Sequence, residues 1–504
     1  MKKNLFNKIL IANRGEIAVR IIRACREMDI IPVAVYSDAD EAALHVRLAK
    51  EAYHIGGTEP LRSYLNIDRI ISAAQRSGAE AIHPGYGFLA ENAEFVSRCE
   101  KEGVVFIGPG SGPMRIMGSK TAARNKMVQA GVPVIPGTLD ALQSEQDVLV
   151  NAEKIGFPIL LKAVAGGGGK GLRLVRDRGE LISAFRMARS EARSSFGDPS
   201  VYMEKYIEEP HHIEVQVLAD QEGRTISLGE RECSIQRRYQ KVMEESPSPF
   251  INQKTRRNME KVAVDAAKAV DYVNAGTVEF VVDKDQNYYF LEMNTRLQVE
   301  HPVTEMVAGI DLVKEQIRVA AGLPLSYEQD DITMTGSSLQ CRIYAEDPFN
   351  NFMPSPGKIL RLRSPAGGPG VRYDNGTYEG YEVPVDYDPL LSKLITWGSS
   401  REEAVQRMKR ALSEYQVYGI RTIIPFFQRI LRHPKFVEGD YNTHFIDNLE
   451  KAEEEVDTEE QTAALIAAAV KHFKESRFQA ESRKTKKMSH WKMQGRMNML
   501  SNGR

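Results

Sequence analysis

Glu292, Asn294, Arg296, Gln298 and Glu300 occupy alternate positions, with Met293, Thr295, Leu297 and Val299 between them. In an extended backbone successive side chains face opposite sides, so one face would carry an acid, an amide, a cation, an amide and an acid. The same alternation describes a half-buried strand whose polar face meets water. A solvated face usually repeats Lys, Glu and Thr, whereas this one offers oxygen ligands for a hard metal, a planar fork for an anion and a second carboxylate able to take a proton. Upstream, residues 276–283 and 288–294 read as a hairpin about the polar turn 284–287, which brings Glu279 beside Glu292. Two carboxylates with Asn294 next to the second suit Mg2+ when nucleotide phosphates complete its shell; without a divalent ion they repel.

Other stretches offer matching chemistry. Gly166, Gly167, Gly168 and Gly169 are consecutive and are followed by Lys170 and Gly171. Such a run removes side chains and lets backbone amides approach an anion closely. It is not a P-loop, because no Ser or Thr and no helix follow the lysine; flanked by strand-like residues 157–164 and 172–175, it reads as a hairpin lid over phosphates. Residues 201–207 form a strand whose end, with Glu204, can run beside a flat ring. His212 and Glu214, two apart on the next strand, are weak evidence for a metal, and a sugar-hydroxyl or structural role is favoured. The stretch 229–245 is dense in both charge signs, and Arg237, Arg238 and Lys241 suggest a polyanion pocket as readily as a solvated ribbon. Arg342 points opposite to the apolar Cys341 and Ile343 and therefore needs an acceptor.

The elements that position these residues follow from periodicity. Residues 9–12 read as a buried strand, 17–28 as a helix with Ile17, Ile21, Ala24 and Cys25 on one face, and 31–37 as the next strand. This start predicts an open parallel sheet with helices on its faces, joined by later strands at 79–83 and 104–108. Its first turn holds only Gly15, so dinucleotide binding is not expected. Loop 83–88, His-Pro-Gly-Tyr-Gly-Phe, serves equally well as a structural turn or a substrate contact. The pattern changes near 119, where a helix from Lys120 precedes the glycine-rich region. A helix is expected over 253–270 and another from 304 to 322. From 336, short strands and a helix to about 414 read as an α+β unit complete near 449.

At 504 residues the chain is expected to fold as about two to four domains. Its 67 basic and 68 acidic residues give a net charge of −1, so nucleic-acid and membrane partners are not expected. The N-terminus enters a strand-like run without a cleavable apolar leader, and no stretch reaches membrane-spanning length. Cys25, Cys99, Cys233 and Cys341 lack Cys-x-x-Cys spacing and read as reduced thiols of a cytoplasmic protein. The tail 450–504 carries a capping box at 458–461, an alanine-rich helix to about 478 and a basic, methionine-rich end; disorder and partner docking both fit, with nucleic-acid binding a weak third.

Five motifs, I-A-N-R-G-E-I-A, H-P-G-Y-G-F-L-A-E-N, K-A-V-A-G-G-G-G-K-G, R-E-C-S-I-Q-R-R-Y-Q-K and E-M-N-T-R-L-Q-V-E-H-P-V-T-E, make the chain resemble the biotin carboxylase family over residues 5–449. The resemblance implies α/β and α+β parts: an N-terminal open parallel sheet domain (1–118), an ATP-grasp domain (119–335) with a glycine-rich lid at about 133–208, a C-terminal α+β domain (336–449), and the tail. It implies ATP- and bicarbonate-dependent carboxylation of biotin through carboxyphosphate. Lys120, Lys162, the glycine loop, Glu204, Lys205, Ile207, His212 and Gln236 would then hold ATP, with Glu279, Glu292 and Asn294 on Mg2+ or Mn2+. Lys241, Arg296, Gln298 and Val299 match the bicarbonate site, Glu300 the general base and Arg342 the cation facing biotin. Tyr239 departs from the family's usual histidine and carries no cationic charge at neutral pH. Arg20, Arg23 and Glu27 match a homodimer interface, although Arg23 and Glu27 are also simply a helical ion-pair spacing. No Met-Lys-Met biotinylation signature occurs, so the expected partners are a separate biotin carboxyl carrier protein and a carboxyltransferase subunit. The competing expectations are another ATP-grasp carbon–nitrogen ligase that uses an acyl phosphate, and a non-catalytic nucleotide-binding scaffold.

Overall fold

The computed structural model describes residues 5–138, 140–164, 171–365, 367–454 and 466–470. Lys8–Ile11 (β1), Ile31–Ser37 (β2), Glu51–Gly56 (β3), Ala81–His83 (β4) and Val105–Phe106 (β5) form a parallel sheet in the order β3-β2-β1-β4-β5. The central strand has Ile9, Leu10 and Ile11 buried, as a sheet covered on both faces requires. Helix Gly15–Glu27 buries Ile17, Ile21, Ala24 and Cys25, the face expected from their spacing.

Ile159–Ala163 (β6), Leu172–Val175 (β7) and Val201–Lys205 (β8) make a small antiparallel sheet in the order β7-β6-β8. Pairing of Lys162 with Leu172 closes the expected hairpin. Its turn, including Gly166 to Gly169, lies outside the described residues. Ile159, Leu161, Val175, Val201 and Met203 pack with Phe185 of helix Leu181–Phe196 into a core of their own.

His211–Ala219 (β9), Thr225–Arg237 (β10), Gln240–Ser246 (β11), Asn274–Val282 (β12), Tyr288–Asn294 (β13) and Ser337–Tyr344 (β14) belong to an eight-stranded sheet. The order runs β13-β12-β9-β10-β11-β14 and continues into strands Leu390–Gly398 and Val371–Asn375. The free edge of β11 is buried and must find partners for its backbone groups, and β14 supplies them with Met243 opposite Cys341. One ladder therefore runs from the nucleotide-side strands into the strands after residue 336.

Two local expectations are corrected. The extended run ends at Asn294, and residues 295–300 form a turn that leads into helix His301–Ala308. The edge strand β13 leaves its sheet there, because Thr295 N–H bonds Glu91 Oε1 at 3.1 Å and Pro302 opens a helix. Asn294, Gln298 and Glu300 are buried, Arg296 is half-buried and Glu292 is exposed, so the five residues do not share one solvated face. The helix expected over 304–322 is two helices, His301–Ala308 and Leu312–Ala320. Gly309, at φ +69°, stops the first and the Asp311 side chain caps the second.

Residues 446–504 form a separate unit, of which helix Phe445–Glu454 and helical residues 466–470 are described. The capping box and the basic end lie outside the described residues. Among the described residues no helix is long and apolar enough to cross a membrane.

Candidate active site

A buried lattice of cations and carboxylates fills the face of the large sheet beneath residues 294–300. Arg231, from β10, is completely buried and uses all five guanidinium donors. It bonds Glu214 at 2.5 Å, Gln216 at 2.8 Å, Thr304 at 2.9 Å, Thr277 at 3.0 Å and Gln298 at 2.7 Å. The alternation of β9 places Glu214 and Gln216 on its face, and the β9–β12 register adds Thr277 opposite Gln216. Gln298 is thereby tied down from the turn.

Lys241, from β11, likewise spends its three N–H bonds on carboxylates. It bonds Glu214, Glu279 at 2.9 Å and Glu300 at 2.8 Å. Glu279 Oε1 also accepts from Asn294 and Gln298, each at 2.8 Å, while Oε2 lies 2.8 Å from His212 Nε2. Gln236 holds the other ring nitrogen of His212 at 3.1 Å. On the far side Glu300 Oε2 accepts from Arg342 Nη2 at 2.9 Å, and Arg342 Nε donates to Glu244 at 2.6 Å. The acceptor demanded by an arginine in an apolar strand is thus a pair of carboxylates.

Burial alone would raise the Glu300 and Glu279 carboxyls. Lys241, with Arg342 and Arg231 at Glu300 and His212 at Glu279, outweighs burial and holds both below the usual carboxylate range. Burial would lower the Lys241 ammonium, and Glu214, Glu279 and Glu300 instead raise it well above its ordinary value. Glu292 stands opposite Glu279 in the hairpin and is pushed up by desolvation and then by the Glu279 charge. That is the repulsion expected of the pair.

Two cavities meet this lattice. The first, about 590 Å³, is walled by Lys120, Arg124, Lys162, Glu204, Phe290 and Glu292. Glu204 receives Arg124 at 3.0 Å and Lys162 at 2.5 Å. Lys205 turns its ammonium onto the carbonyls of Phe157 at 2.6 Å and Gly156 at 3.2 Å, while Ile207, past the end of β8, is half-buried. The second cavity, about 480 Å³, is walled by Tyr86, Phe88, Arg296, Val299, Arg342 and Asp388. Arg296 is held by Glu91 at 3.0 Å and Asn294 at 2.9 Å. Loop 83–88 lends Tyr86 and Phe88 to this wall while Asn13 ties its Pro84 and Tyr86 carbonyls, each at 2.7 Å.

Glu279, Glu292 and Asn294 are collected at one end of the hairpin and fit a divalent cation. Two inner groups, His212–Glu214–Glu279 and Glu214–Cys233–Glu300, also bring ligand atoms within 4.8 Å of one another. The inner Glu214, Glu279 and Glu300 already share Lys241, with Arg231 also on Glu214 and Arg342 on Glu300, and burial keeps Cys233 a thiol, so a cation is better served on the Glu292 side.

Of the two uses weighed for Arg237, Arg238 and Lys241, a polyanion pocket built by all three is not formed. Arg237 bonds Glu346 at 2.8 Å and lies over Phe352, and Arg238 bonds Asn351 at 2.7 Å; only Lys241 enters the site. β10 and β11 turn at Arg238 and Tyr239, both at positive φ, which leaves Tyr239 exposed at the tip. Arg20 is buried against Glu305 at 3.0 Å and Asp311 at 2.7 Å within the chain. The sequence assigned no site role to Arg231, Glu244 or Glu91, and weighed Glu214 only beside His212. The alternation of β9 signalled Glu214, and the acceptor demand of Arg342 signalled a carboxylate, which only the β11–β14 register identifies as Glu244.

The chain matches the biotin carboxylase N-terminal domain over residues 5–114, the ATP-binding domain of the carbamoyl-phosphate synthase L chain over 119–328, and the biotin carboxylase C-terminal domain over 340–448. It belongs to the biotin carboxylase family. Biotin carboxylase 1 of Bacillus subtilis is 54% identical over 444 residues, 88% of this chain and 98% of that protein. The propionyl-CoA carboxylase alpha chain of Ruegeria pomeroyi is 49% identical over 461 residues, 88% of this chain and 68% of that protein. A dimer of the biotin carboxylase domain of Hydrogenobacter thermophilus 2-oxoglutarate carboxylase, solved with MgADP, ADP and bicarbonate, is similar at 48% identity. The TM-score is 0.82, covering 88% of this chain and 98% of that one. The fold is that of biotin carboxylases, α/β and α+β with an ATP-grasp core, and the chain is an ATP-dependent carbon–nitrogen ligase.

Proposed function

We propose that the chain uses ATP to activate bicarbonate as carboxyphosphate and then carboxylates N1′ of biotin presented by a separate carrier protein. It would act as the biotin carboxylase subunit of an acetyl-CoA, propionyl-CoA or pyruvate carboxylase, beside a carboxyltransferase subunit. The observation that carries this reading is the convergence of Lys241, Glu300 and Arg342 in one buried chain of contacts reaching the cavity that Val299 and Arg296 also line. The central match is shared with carbamoyl-phosphate chemistry, but Arg342, from the C-terminal match, is a cation that chemistry does not call for.

Lys120, Lys162 and Glu204 wall the first cavity and bind nucleotide there with Lys205, Ile207, the glycine loop, His212 and Gln236. Glu279, Glu292 and Asn294 hold Mg2+ or Mn2+, which when bound neutralises phosphate charge. Arg296, Lys241, Gln298 and the Val299 N–H receive bicarbonate. Glu300 is ionised but a weak base while Lys241 and Arg342 both hold it. An anion arriving beside Lys241 and Arg296 draws the ammonium away, and the proton affinity of Glu300 rises as the bicarbonate proton becomes available. Protonation of Glu300 in turn frees Arg342 Nη2 to stabilise the oxyanion of enolate-like biotin. Segments 1–118, 119–335 and 336–449 are the working domains. Homodimerisation through the helix bearing Arg23 and Glu27, and a cytoplasmic setting, complete the reading.

Bicarbonate-dependent ATP cleavage, measured with and without free biotin, tests it. Stimulation by biotin with formation of carboxybiotin is expected; ATP cleavage that biotin never stimulates, without carboxybiotin, refutes the assignment.

A further inference from the structure

The turn Gln298-Val299-Glu300 has its backbone held from behind by two side chains that none of the roles above employs. His301 Nδ1 lies 2.7 Å from the Gln298 carbonyl oxygen, and Lys393 Nζ donates to the Val299 carbonyl at 3.0 Å. Both side chains are completely buried. A carbonyl can only accept, so the imidazole must carry its proton on Nδ1. Burial, reinforced by Lys393, Arg20 and Arg372, keeps that ring neutral by lowering its proton affinity well below the ordinary histidine value. Lys393 is balanced by Glu16 at 3.2 Å and Asp374 at 4.0 Å, so its charge is anchored without reaching solvent.

The Gln298–Val299 peptide is trans. In a trans peptide the C=O and the following N–H point in opposite directions. Pulling the Gln298 carbonyl back onto His301 therefore turns the Val299 N–H forward, toward the cavity wall that Val299 shares with Arg296 and Arg342. No hydrogen-bond partner of the Val299 N–H occurs among the described residues. Lys393 fixes the next carbonyl and so removes the remaining freedom of residue 299 to rotate.

We propose that His301 and Lys393 are positioning residues of the anion site, aiming the Val299 N–H at bicarbonate by holding the Gln298 and Val299 carbonyls from behind. This rests on the assignment of bicarbonate to that site. Neither residue touches the anion; each acts through one peptide unit, and His301 does so as a hydrogen-bond donor only.

A series at position 301 separates aiming from simple packing. Asn places an amide N–H near the position of Nδ1, whereas Leu fills the space without a donor. His301→Leu should raise KM for bicarbonate roughly tenfold or more, the order expected for mis-aiming one hydrogen bond to a charged group, with nucleotide affinity in the absence of bicarbonate within about twofold of wild type. His301→Asn should recover most of that loss. Lys393→Met should show the same split and serves as the second readout if His301→Leu fails to fold. Equal bicarbonate KM for the Asn and Leu variants, or a parallel rise in nucleotide and bicarbonate constants for the variants that fold, would overturn the positioning role. Wild-type enzyme without bicarbonate-dependent ATP cleavage would remove the functional assignment and this inference together, whereas active wild type with unaffected variants removes the inference alone.

Discussion

Glu300 sits between two cations, and that placement sets what its amide should do. Glu300→Gln keeps the shape and loses the proton acceptor, so turnover should fall by about 100-fold or more while nucleotide affinity, measured by titration, stays near wild type. Loss of both together would make Glu300 a structural residue. Arg342→Ala should harm biotin carboxylation more than bicarbonate-dependent ATP cleavage, and the opposite order would count against a biotin-facing cation. Arg231 is the contrasting case, a residue with all its donors spent inside the protein. Arg231→Met takes one of its two cationic partners from the buried Glu214 and leaves Gln216 and Gln298 without their donor, and should cost roughly 3–5 kcal/mol in denaturant unfolding. Legibility at this scale was uneven for a physical reason. Glu279, Glu292 and Glu300 announce themselves because carboxylates at those spacings have few bland uses. Arg231 and Glu244 read as ordinary members of charged strands until the register places them against Gln298 and Arg342.

Among the elements, strand and helix positions followed the apolar periods closely in helix Gly15–Glu27 and in the β12–β13 hairpin. The period-two reading failed at Asn294 because side-chain alternation continued after the backbone had left the sheet. Polar residues of the turn still alternate with Leu297 and Val299, but a buried lattice drawn from strands distant in sequence and the proline-started helix that follows at once decide the conformation. The helix break at Gly309 was equally hidden, since the apolar pattern continues across it. Two glycines test these junctions by difference. An added Cβ at Gly309, at φ +69°, would meet open space, so Gly309→Ala should cost only about 1 kcal/mol of backbone strain. At Gly336, at φ +67°, the same Cβ would lie 2.2 Å from the Gly398 carbonyl oxygen. Gly336→Ala should therefore cost clearly more, on the order of 2–3 kcal/mol, because β14 must shift to accept it. Equal melting temperatures for the two variants would contradict this seating of the strand.

For the molecule as a whole, buried histidines give the fold a particular response to acid. His83 accepts a hydrogen bond from Gly85 N–H at 3.1 Å through Nδ1 and is pushed by burial from 6.5 down to about 3. A base whose folded value lies below its unfolded value contributes stability above the unfolded value, and loses it as pH falls toward the folded one. Glu16, pushed up to about 7 by burial, acts with the opposite sign, so a difference measurement isolates the histidine. The stability advantage of wild type over His83→Asn should shrink by about 1.4 kcal/mol per pH unit below 6.5 and stay constant above pH 7.5. A difference independent of pH would mean that folding leaves the proton affinity of His83 at its unfolded value.

The ladder that passes from β11 into β14 makes Arg342 and Lys393 direct cross-strand partners. One reaches the carboxylate that would take a proton, the other the carbonyl beside it, and the rungs between them are backbone hydrogen bonds. Such a ladder works as a ruler: strand spacing fixes how far Arg342 lies from Lys393, and so where the two cations stand against residues 299 and 300. A change that shifted this one rung would move both contacts together, so the grip on the Glu300 carboxylate and the grip on the Val299 carbonyl are free to vary only as a pair.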